Sequence, residues 1–99
     1  MTILTKEDLQ LMYSKAKIAF KKCIADKENE FLAKEIDIPI NSIVTKEEYV
    51  KVQYLKNETE NYIIETKIQL LSQVDKVIGS YIYYEDENGI STDDSLVFE

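Results

Sequence analysis

Histidine, arginine and tryptophan do not occur anywhere in this sequence. Their absence removes the usual proton carrier near neutral pH, the planar phosphate fork and the best stacking platform. Only one cysteine is present, Cys23, so a disulfide within the chain is impossible. The two glycines, Gly79 and Gly89, do not open a helix, and this excludes a phosphate-binding loop. No apolar run approaches the roughly 20 residues of a membrane span. Met1–Gln10 has no apolar core of a signal peptide. A reduced, cytoplasmic protein with no membrane partner is therefore expected.

The basic residues are all lysine, and the net charge is −7. This argues against nucleic acid as a direct partner, because that binding rests on clustered positive charge. The charge is also uneven. After Lys76 no basic residue follows, while Glu85, Asp86, Glu87, Asp93, Asp94 and Glu99 do. Nearly all of the net charge thus lies in the carboxyl-terminal stretch.

The apolar fraction of 44% over 99 residues fits one modest core. Such a chain buries about 65% of its unfolded surface, enough without staples. A single α+β domain over 1–99 is expected. Thr5 followed by Asp8 resembles a capping box. Leu9, Met12, Tyr13, Ala16, Phe20, Cys23 and Ile24 then recur at spacings of three and four, which predicts a helix over Lys6–Ala25. Phe31 and Leu32 either prolong this helix to about Lys34 or belong to a short second one after Asp26.

Ile36, Ile38 and Ile40 alternate with polar residues around Pro39, an extended segment confined to an edge or irregular position. Thr45–Lys56 carries both a capping-box signature and alternating Val50, Val52 and Tyr54; the valines favour a strand. Tyr62, Ile64, Thr66, Ile68 and Leu70 define one face of a strand over Asn61–Leu71. Another strand spans about Lys76–Glu85, Asn88-Gly89 is a turn signal, and Leu96–Phe98 forms a short last strand. Gly79 inside a strand points to a bulge or bend. The resulting architecture is an N-terminal long helix packed on an antiparallel sheet of three to five strands.

Catalytic chemistry finds little support. The common general base is missing, and Cys23 lies on the apolar helix stripe as a small hydrophobe. Asp86, Asn88, Asp93 and Asp94 are oxygen ligands in one loop region, but the calcium-loop pattern fails because Ile90 takes a ligand position. One cysteine and no histidine leave zinc without a ligand set. No cofactor or metal is expected.

Tyr81, Tyr83, Glu85, Asp86, Glu87, Asp93 and Asp94 remain as candidate partner-binding residues. With Ile78 and Ile82 facing the helix, Tyr81 and Tyr83 face outward among carboxylates. Tyrosine joins a large apolar body to a polar tip, and surrounding acid speeds encounter with a basic partner. The contrasting reading is cross-strand packing by the rings and solubility from the acids.

The expected function is that of a non-catalytic binding protein docking a basic protein, in concrete form an immunity protein or antitoxin that neutralises a nuclease toxin in bacterial competition. An alternative is a small-molecule-binding domain with a pocket between helix and curved sheet. A homodimeric secretion chaperone or adaptor draws on the same acidity, and self-association through an uncovered sheet face is compatible with each reading.

Overall fold

The computed structural model describes residues 4–99. Helix α1 spans Lys6–Ala25, the expected bounds. The capping box is complete: the Thr5 hydroxyl accepts from the Asp8 N–H at 3.1 Å, and an Asp8 carboxylate oxygen accepts from the Thr5 N–H at 2.9 Å. Asp26 ends the helix in extended backbone. Its side chain accepts from the Glu28 N–H and starts a 3-10 segment over Lys27–Glu35. The Asn29 amide donates to the Cys23 carbonyl at 2.9 Å, which satisfies one of the carbonyls the helix end leaves open. The second alternative for Phe31 and Leu32 therefore holds. Leu32 is buried beneath this segment and Phe31 is exposed.

Ile36–Ile38 joins no sheet. At Pro39 the chain turns instead, and the Ser42 N–H and hydroxyl both donate to the Pro39 carbonyl. Four strands follow: β1 Val44–Tyr54, β2 Tyr62–Leu71, β3 Val77–Asp86 and β4 Ser91–Phe98. They form an antiparallel sheet in the order β1-β2-β3-β4, so β1 and β4 are its edges. The ambiguous stretch is strand, as its valines favour. β4 is longer than its apolar end because Ser91–Asp94 keep the backbone ladder to β3.

Bulges interrupt the ladder near Glu48, near Ile78 beside Gly79, and close to the β3–β4 turn. Each bends its strand locally. Gly79 also answers a steric demand: a Cβ there would lie 2.2 Å from the Val97 carbonyl oxygen of β4.

α1 lies across one sheet face. Its Ala16 and Phe20 meet Ile68 and Leu70 of β2 and Tyr81 of β3 in the core. Full burial of side chains such as Phe20, Ile68 and Leu70 contributes about 1.5–3 kcal/mol each. The register puts Tyr81 opposite both Ile68 and Leu96, and Gly79 opposite Leu70 and Phe98. The helix-facing residues of β3 are therefore Gly79, Tyr81, Tyr83 and Glu85, which corrects the expected orientation. Tyr81 is only 1% exposed. Its ring supplies more apolar area to the core than Ile82 would, and its hydroxyl finds an acceptor, so burial leaves no polar atom unpaired.

Candidate functional site

The seven residues singled out from the sequence do not form one outward patch. The Tyr81 ring tilts onto Phe20 with centroids 5.6 Å apart, and its hydroxyl donates to Asp94 at 2.8 Å. Glu85 is 3% exposed and faces the Lys15 ammonium of α1 at 3.3 Å. These two hold helix, β3 and β4 together and are not free for a partner. Asp86 shapes its own turn: one carboxylate oxygen accepts from the N–H groups of Asn88 and Ile90. Gly89 follows with φ of 76°, which glycine adopts at low cost.

The remaining residues gather along the β4 edge. Tyr83, Asp93 and Asp94 line an open groove of about 640 Å³ between the second half of α1 and β4. Cys23, Asp26 and Asn29 close its far wall, and Lys22 stands on its rim. Acidic residues thus outnumber the single lysine along this groove. The Cys23 thiol is pushed up by burial, then by Asp94 and Asp26, which keeps it protonated and unlike a nucleophilic thiolate. Tyr81 is likewise raised, by burial first and then by its bond to Asp94. The groove therefore holds its protons and offers carboxylate acceptors, a suitable setting for a visiting cation.

The tyrosines that do look outward were missed. On the sheet face away from α1, Glu65 of β2 pairs with Tyr84 of β3, which pairs with Asp93 of β4. The Tyr49 hydroxyl of β1 donates to the same Glu65 carboxylate. That bond, then burial, pushes Tyr49 up to about 12. Tyr84 is raised by burial, then by Glu65 and Asp93. Lys67 stands 5.8 Å from the Tyr49 ring centroid and 3.2 Å from Glu48. The signal for this row lay in the turn: a hairpin reversing at Asn88-Gly89 places Tyr81 opposite Leu96 and Tyr84 opposite Asp93, so Tyr81 shares its face with Leu96 and Tyr84 lies on the other.

A different cavity, of about 390 Å³, lies along the β1 side. The start of α1 and the ends of β1 and β2 enclose it, with Met12, Val52, Tyr54, Tyr62 and Ile64 in its lining.

Compared with known proteins, the chain matches no family model, no curated protein and no solved structure. Function is read from these residues alone. Among the described residues, no three or more of His, Cys, Asp and Glu gather in a metal-ligating group. Nor, among them, is any helix long and apolar enough to cross a membrane.

Proposed function

We infer that this chain is a non-catalytic binding protein that docks a basic protein partner along its β4 edge. The observation that carries the reading is the position of Asp93 and Asp94 on an edge strand with a tyrosine on either side: Tyr83 in the groove and Tyr84 on the open face. Asp86 and Glu87 extend the acid to the adjoining turn, and residues 77–99 contain no lysine to neutralise it. A lysine or arginine entering the groove meets Asp26 and Asp94 with the Tyr83 ring behind its apolar stem, while one on the open face meets Asp93 beside the Tyr84 ring. Such a surface steers association more than it deepens affinity. In concrete form, the partner is a nuclease toxin whose cationic cleft this protein occupies as an immunity protein or antitoxin. Tyr81 and Glu85 support the edge from inside and do not touch the partner.

The test is a pull-down from the native host at low and high salt, with the wild-type chain beside Asp93→Lys and Glu87→Lys. The reading expects one basic protein retained at low salt, released at high salt, and lost with either variant. Association of the purified pair should then slow by about tenfold or more on charge reversal. Retention that ignores both salt and the substitutions sinks the reading.

A further inference from the structure

We propose that the cavity beside the start of α1 binds a small apolar ligand carrying a cationic nitrogen, such as an alkyl- or arylammonium compound. Its floor is apolar: Met12 is 6% exposed, Ile64 is 7% exposed, and Val52 stands beside them. Tyr54 and Tyr62 supply two ring walls whose centroids are 5.9 Å apart and whose planes meet at 66°. Asp8 is the one charged side chain lining the cavity among the described residues. The volume of about 390 Å³ falls within the range of small-ligand sites.

Each feature narrows the ligand. The apolar floor disfavours a sugar or polyol, which would bury hydroxyls without partners. Asp8 and the net charge of −7 repel an anion. A cation with an apolar body satisfies both, because ring faces carry the negative end of the aromatic quadrupole and attract ammonium groups. The Asp8 carboxylate already accepts from the Thr5 N–H through one oxygen. A carboxylate has about four lone-pair sites, so capacity for an ammonium remains. The site lies on the β1 side of the sheet, and β4 is the opposite edge. Ligand binding here is independent of partner docking there.

The test uses the full chain and three probes of one shape: phenethylammonium, phenethyl alcohol and phenylacetate. Amide NMR titrations up to about 10 mM follow where each binds and how tightly. Expected are saturable shifts at Met12, Val52, Tyr54, Tyr62 and Ile64, with the ammonium about tenfold tighter than the alcohol and the carboxylate not binding. Asp8→Asn should lower the ammonium to the alcohol's affinity and leave the alcohol unchanged. The asparagine oxygen still accepts from Thr5, and circular dichroism checks that the helix survives. Tyr62→Leu should weaken ammonium and alcohol alike. Absence of saturable shifts overturns the proposal. So do equal affinities for all three probes, or shifts that follow Asp93 and Asp94 instead. Charge reversal at Asp93 tests the docking edge and leaves this site untouched, so the two proposals fail separately.

Discussion

The two faces of β3 carry similar residues and do opposite work. Toward the helix stand Tyr81, Tyr83 and Glu85; toward the open side stand Ile82, Tyr84 and Asp86. Inward, the tyrosine hydroxyl and the carboxylate each have a dedicated partner, Asp94 and Lys15. Outward, Ile82 and Tyr84 are half-buried by their strand neighbours alone. A polar tip does not keep a tyrosine at the surface when an acceptor waits inside, and an isoleucine does not secure a place in the core. Side chains alternate with period two, so a shift of one residue exchanges the structural set for the presented set.

Truncating one residue from each face breaks or confirms that contrast most directly. Tyr81→Ala removes a core ring packed on Phe20 and should cost about 3–5 kcal/mol. Tyr84→Ala removes a ring from the open face and should cost under about 1 kcal/mol. Urea unfolding of both variants decides the matter, and comparable losses would erase the distinction between the faces.

The ion pair gives the next largest effect. Lys15→Met leaves the Glu85 carboxylate buried without its partner. A fully buried pair broken this way costs about 3–5 kcal/mol. Here about 2–3 kcal/mol is expected, because the Lys15 side chain is 34% exposed and the site is partly screened. Adding Glu85→Leu should recover most of the loss, since the unpaired charge is then gone. A double variant no more stable than Lys15→Met would show that packing of the lysine stem mattered instead.

What the sequence disclosed follows the same division. α1 was legible to its ends because Thr5, Asp8 and the apolar stripe are all local signals. β2 was legible because Ile64, Thr66, Ile68 and Leu70 alternate cleanly against Glu65, Lys67 and Gln69. The polar half of β4 was not, since Ser91–Asp94 have no apolar pattern and are strand only through bonds to β3. The facing of β3 failed for a related reason. Hydropathy favours Ile78 and Ile82, whereas the fold is decided by Leu96 and Phe98 opposite Tyr81 and Gly79. The row of Glu65, Tyr84 and Asp93 is assembled by the register of three strands, and the Tyr49 hydroxyl of β1 joins it diagonally, since Lys51 is the residue opposite Glu65. The charge asymmetry itself was plain from the sequence; the direction in which each acid points was not.

Alkaline pH gives a smaller effect, to which the inner face contributes through Tyr81. Tyr81 in the folded chain is raised above its ordinary value of 10.0 by burial and by Asp94. The folded state therefore keeps this proton after the unfolded state begins to release it. The stabilisation is complete below about pH 10 and is lost as pH rises above it. Tyr81→Phe should flatten the decline of stability above pH 10 by up to one proton, about 1.4 kcal/mol per pH unit. Phenolate absorbance followed alongside unfolding checks this, and an unchanged slope would contradict it.

Thr66 sets the smallest effect, and its sign is the informative part. It lies on the helix-facing side of β2 between Val50 and Tyr83, wholly buried, and its hydroxyl has no hydrogen-bond partner among the described residues. A buried hydroxyl without a partner carries a desolvation cost that a methyl group of similar size avoids. Thr66→Val should therefore stabilise the fold by about 0.5–1 kcal/mol, with both β-branched groups still packed. Thr66→Ser keeps the hydroxyl and deletes the methyl, so it should destabilise by about 1 kcal/mol. The reverse order in urea unfolding would mean that the hydroxyl is bonded in solution, with an enclosed water as the nearest available partner. The inner face would then be a polar network extending from Glu85 and Tyr81 to β2, not an apolar layer crossed by two isolated bonds.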